Sequence, residues 1–119
     1  MKKLKEIDGA CVLCALHYVS KIDEDTIIRI CTLHGFREGQ GMENQGWRSA
    51  ATQLGLKLRW MMLKPTRLKK FIKDNPVGLF FIGTHDHLFV VDNGIIVDPR
   101  CKKPPGFGRI IREAWVVRK

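Results

Sequence analysis

With 119 residues, 45% of them hydrophobic and 28% charged, the chain has enough apolar content for one packed core and is too mixed to be disordered or fibrous. Lys and Arg number 21 against 12 Asp and Glu, a net charge of +9 that favours acidic partners. Four cysteines without a secretory signal argue against a disulfide scaffold and for free thiols in a reducing compartment.

The N-terminal MKKLK resembles a signal n-region, but Glu6 and Asp8 interrupt it. The apolar run GACVLCALHYV lacks a small-residue cleavage site and is too short to span a bilayer. The expectation is one soluble intracellular domain over residues 1–119, with no membrane segment. Asp8 is placed to cap a buried helix running from Gly9, with Cys11 in its first turn and Cys14 in its second. Residues 20–23 read as a turn. Asp23 or Asp25 then caps a helix through His34, whose apolar side comprises Ile27, Ile28, Ile30, Cys31 and Leu33.

The glycine-rich stretch GFREGQGMENQG, residues 35–46, must be a loop. A helix over 47–54 ends at Gly55, and 57–63 reads as a strand with Leu58, Trp60 and Met62 on one face. Pro65 and Thr66 open a short basic helix that stops near Asn75 and Pro76. Strands over 78–82, 86–92, 95–98 and 109–117 complete an antiparallel sheet. Helices first and strands afterwards give an α+β class.

The most informative stretch is GTHDHLFVVDNGIIVDPR, residues 83–100. Asn93-Gly94 predicts a two-residue type I′ hairpin, which sets Asp92 opposite Ile95, Val91 opposite Ile96, Val90 opposite Val97 and Phe89 opposite Asp98. Alternation then puts His87 and Asp98 on one face as diagonal neighbours about 7 Å apart. His85 shares that parity but lies further out. A histidine held by a carboxylate on the next strand is the base and orienter of a nucleophilic triad.

A nucleophile is available in DGACVLCALHYV. The positive end of a helix favours thiolate over thiol, so Cys11, nearer that end than Cys14, is the better placed. Taken alone, either cysteine reads as a small core hydrophobe, the commonest fate of a free cysteine.

The chain order of Cys on an N-terminal helix, then helices, then a strand opened by His and a strand closed by Asp resembles the papain-like cysteine peptidases. Within that superfamily the chain is most similar to the bacteriocin-processing peptidase domains of peptide-exporting transporters and to small standalone papain-like proteins of bacteriophages. The matching pieces are DGACVLCAL, WRSAATQLGLKL, TRLKKFIKDNPVG and HLFVVDNGIIVDP, which together span nearly the whole chain. The resemblance implies a papain-like fold and a peptide or protein substrate. It also implies Cys11 as nucleophile, His87 as general base and Asp98 as orienter, with no cofactor, in the cytoplasm of a bacterial or phage-infected cell.

In that family a Gln ahead of the Cys helps form the oxyanion hole, whereas KKLKEIDGA has neither Gln nor Asn. The 35–46 loop, with two Gln and one Asn, is then the natural source of a replacement. Cys14 stays open as the alternative nucleophile, and a catalytically weak or inactive fold serving as a basic binding module is the alternative function. Two other readings compete. Cys11-x-x-Cys14 with Cys31-x-x-His34 has the spacing of a structural zinc site, although Val-Leu and Thr-Leu replace the usual turn residues. The basic stretches KLRWMMLKPTRLKKFIK and PRCKKPPGFGR, with Trp47, Trp60 or Phe107 for stacking, would suit nucleic acid, without any helix-turn-helix, finger or RNA-recognition signature.

Overall fold

The computed structural model describes residues 3–61, 64–84, 87–97 and 108–119. After a single 3₁₀ turn (Leu4–Glu6) come three helices, α1 (Cys11–Ser20), α2 (Glu24–Leu33) and α3 (Asn44–Gln53). Strand β1 (Lys57–Met61), the short β2 (Thr66–Arg67) and helix α4 (Leu68–Asp74) follow. Strands β3 (Leu79–Gly83), β4 (Leu88–Asp92), β5 (Ile95–Val97), β6 (Ile110–Ile111) and β7 (Glu113–Arg118) complete the chain. The class is α+β, with the N-terminal helices preceding the sheet. No helix among the described residues is long and apolar enough to cross a membrane.

The main sheet has the order β1-β7-β3-β4-β5, and each neighbouring pair is antiparallel. Side chains alternate across it, so it separates two apolar layers. On one side Phe81, Leu88, Val90, Trp115 and Val117 join the residues of α1, α2 and α3. On the other, Phe80, Ile82, Phe89 and Val91 join Leu68 and Phe71 of α4. The hairpin has the expected register, Val90 with Val97, Val91 with Ile96 and Asp92 with Ile95. Asn93 and Gly94 take φ of 49° and 81°, as a type I′ turn requires.

Several boundaries differ from those the sequence suggests. Asp8 does not cap α1. Gly9 is left-handed at φ 72°, which holds the chain off the helix until Cys11 and leaves Ala10 as an N-cap without a side-chain bond. Helix α3 begins at Asn44, three residues ahead of Trp47. Its Gly46 sits against the end of α2 so closely that a Cβ there would lie 2.5 Å from the His34 carbonyl oxygen, a contact no other residue type can accommodate. Leu33, at 73% exposure, does not join the core.

Pro65 and Thr66 do not start the basic helix. Thr66 and Arg67 instead pair with Ile111 and Ile110, and α4 starts at Leu68, whose N–H donates to the Arg109 carbonyl at 2.8 Å. The expected 109–117 strand is broken at Arg112, where the chain passes from that small sheet into the main one.

Helix α2 is capped as expected. The Asp23 carboxylate accepts the Thr26 N–H at 3.0 Å, and the Thr26 hydroxyl donates to it as well. These bonds, the hydroxyl's chiefly, hold the Asp23 carboxyl below its ordinary 3.8. A depressed carboxyl contributes stability that is complete above the unfolded value and is lost as pH falls through the folded one. Asp23→Ala should therefore lower the neutral-pH melting temperature by about 3–6 °C. The gap between the two proteins should close as pH is taken below 3.8, read by thermal melts across that range.

Candidate active site

Helix α1 lies along β4 and runs in the same direction. At one end Cys11 meets the start of β4. At the other the Tyr18 hydroxyl donates to the Asp92 carboxylate at 2.9 Å. Seven helical residues advance about 10 Å and four strand residues about 13 Å, so both ends are satisfied by one alignment. That alignment sets Cys11 against His87, the residue just ahead of β4.

His87 is held by its own turn. The Thr84 N–H donates to the His87 carbonyl at 2.9 Å, and the His87 ring stacks on Phe89 with centroids 6.0 Å apart. Cys11 is the first residue of α1 and half-buried. The N–H groups of a first helical turn have no intrahelical acceptor, and no side chain caps this one. Burial pushes the Cys11 thiol up. A hydrogen bond from the His87 side chain, another from the Leu88 backbone, the charge of His87 and the Val12 backbone together outweigh burial and hold the thiol below its ordinary 9.0.

A cavity of about 220 Å³ opens beside this pair, with Asn44, Glu113 and Trp115 among the residues lining it. Asn44 comes from the segment the sequence marks as the source of an extra polar contact. Its Oδ1 accepts the Trp47 indole N–H at 3.2 Å. Because an indole nitrogen is a donor alone, this bond fixes the amide orientation and leaves Nδ2 free to donate elsewhere. Trp47 is itself wedged edge-on against Phe81 and Trp115, with centroids 5.6 and 4.9 Å away.

Of the residues singled out in the sequence, Cys11 and His87 come together. Asp98, the expected orienter, lies outside the described residues, as do His85 and Cys101. Cys14 is buried in the helical core at 5% exposure, and Cys31 is fully buried, its thiol pushed up to about 12. The zinc alternative fails on placement, since no three His, Cys, Asp or Glu among the described residues are grouped to hold a metal ion. His34 instead bonds Gln53 through Nε2 at 2.7 Å. Glu113 and Thr84 went unnoticed in the sequence. Glu113 reaches the cavity because β7 pairs with β3 so that Glu113 faces Gly83, a long-range register that no local pattern announces.

Compared with known proteins, the chain matches no family model, no curated protein and no solved structure.

Proposed function

We propose that the protein is a papain-like thiol hydrolase acting on peptide or amide bonds, with Cys11 as nucleophile, His87 as general base and Asp98 as the carboxylate that orients the imidazole. The observation that carries this reading is the hydrogen bond between His87 and the Cys11 thiol at the uncapped start of α1. Together these supply the two elements a cysteine nucleophile needs, a base within reach and a local field that favours the thiolate.

In the reaction the Cys11 thiolate attacks the substrate carbonyl carbon and the C=O π electrons move to oxygen. The Cys11 N–H and the Asn44 amide stabilise that oxyanion. Collapse of the intermediate expels the amine, which takes its proton from the His87 imidazolium, and a thioester remains on Cys11. Water then attacks the thioester while His87 takes its proton. The acid leaves and the thiolate–imidazolium pair is restored. Three free cysteines among the described residues suit a reducing compartment, so the cytoplasm is where such a thiol enzyme would work.

The test is site-resolved alkylation. In a Cys101→Ser background, iodoacetamide at pH 6.5 should label Cys11 at least about tenfold faster than Cys14 or Cys31, because each unit of pKa depression raises the thiolate fraction tenfold at a fixed pH below the pKa. Peptide mapping reads the order directly. Slow labelling of Cys11, rising only near its ordinary 9.0, would turn the reading toward a basic binding module that has kept the fold without the chemistry.

A further inference from the structure

Next to the Cys11–His87 pair the cavity contains a carboxylate without a partner among the described residues. Glu113 lines it, is half-buried, and has no hydrogen bond or ion pair to the described residues. In a chain with a net charge of +9 and 21 cationic side chains, a partly desolvated carboxylate left unpaired is costly unless something else neutralises it. The Arg109 guanidinium donates to the Thr84 hydroxyl, another residue lining the cavity, at 3.4 Å. The same cavity is lined by Trp115, which is 3% exposed and whose indole Nε1 is buried without a hydrogen-bond partner among the described residues.

Gly83 keeps this corner open. A Cβ there would touch the Glu113 Cβ at 3.5 Å, its Oε2 at 3.6 Å and the Trp115 ring at 3.6 Å, so any longer side chain would fill the space in front of the carboxylate. A carboxylate on one side, the edge of a buried indole beside it and a glycine opposite make a receptacle for a cationic group, which gains an ion pair there.

We infer that Glu113, Gly83 and Trp115 form a subsite for a positively charged group of the substrate, a Lys or Arg side chain or a free amine, lying within one side chain's reach of the carbonyl that Cys11 attacks. The inference rests on the proposed hydrolase reading, because it uses Cys11 to define where the substrate sits. It adds a substrate class to that reading: basic peptides are preferred despite the basic surface of the protein.

Three methanethiosulfonates of similar size, carrying an aminoethyl cation, a neutral ethyl or a sulfonatoethyl anion, test it in the Cys101→Ser background. All three convert a thiol to a mixed disulfide and release methanesulfinate, so the ratio of their rates at Cys11 reads the local charge whether or not the thiol is activated. In the starting protein the cationic reagent should react faster than the anionic one, against the sense that the net charge alone would impose. Glu113→Gln should lower the cation-to-anion ratio by about three- to tenfold. Asp25→Asn, the same charge change on the exposed face of α2, should leave the ratio as it was.

An anionic preference in the starting protein, or one ratio shared with Glu113→Gln, overturns the subsite. The hydrolase reading fails separately, if iodoacetamide finds an ordinary thiol at Cys11 while the charge selectivity persists. The cavity would then be a cation-binding site without chemistry.

Discussion

His87→Ala should slow alkylation of Cys11 at pH 6.5 by at least about tenfold and abolish turnover of any peptide substrate. The direction follows from the balance at the thiol. Burial is the largest influence and raises it, whereas His87 supplies both a hydrogen bond and a charge that lower it. Removing the imidazole leaves burial opposed only by the Leu88 and Val12 backbone groups. The midpoint of the alkylation profile should therefore move from below 9.0 in the starting protein to that value or above.

The sign is testable at both ends. Well above both midpoints the two proteins should react at similar rates, since both thiols are then ionised, and the gap should widen as pH falls through the two midpoints. If Asp98 orients the imidazole as proposed, Asp98→Asn should produce a smaller shift in the same direction, because the imidazole would remain but lose its preferred tautomer and part of the stabilisation of its charge. A profile unaltered by His87→Ala would remove the base from the scheme, and with it the hydrolase.

How much of this was legible in the sequence depended on whether the cause was local. The hairpin was readable to the residue because Asn93-Gly94 dictates its own turn and the turn dictates the register. Asp23 was readable as one of two candidate caps, with Asp25, and it is the one whose acceptor sits three residues ahead of the Thr26 N–H it satisfies. Asp8 looked equally good by the same criterion and failed. Its carbonyl instead accepts the Gly39 N–H at 3.0 Å, which ties the turn before α1 to the glycine-rich loop.

The break in the last strand was hidden for the same kind of reason. RIIREAWVVR has no residue that forbids a continuous strand, and the interruption comes from the Arg112 N–H donating to the Gly83 carbonyl at 2.9 Å while Ile110 and Ile111 pair elsewhere. At the site, Cys11 and His87 were found through their combination in chain order, a cysteine at a helix start followed later by a histidine opening a strand, since neither stands out alone. Glu113 was not, because a glutamate in a strand is unremarkable until the sheet order places it opposite a glycine beside a thiol.

Trp47 connects the core to that site, and its substitutions should separate the two roles. It is 2% exposed and packed edge-on against Phe81 and Trp115, so Trp47→Ala should cost about 3–5 kcal/mol, a large share of the about 5–15 kcal/mol available to a domain of this kind. The melting temperature should fall by about 10–20 °C. Trp47→Phe keeps an aromatic ring in the same slot and should cost roughly 1–2 kcal/mol, but it removes the indole N–H that fixes the Asn44 amide.

Alkylation by iodoacetamide develops no oxyanion, whereas acyl transfer from p-nitrophenyl acetate does. If Asn44 donates to that oxygen, Asn44→Ala should slow acylation by about a hundredfold or more, and far more than it slows alkylation. Trp47→Phe should fall between Asn44→Ala and the starting protein on the same plot, because the amide is present but free to turn away. Equal losses in the two reactions would mean that Asn44 and Trp47 act on the thiol itself. The oxyanion would then have to be held by the helix N-terminus alone, through the Cys11 N–H and its neighbours in the first turn of α1.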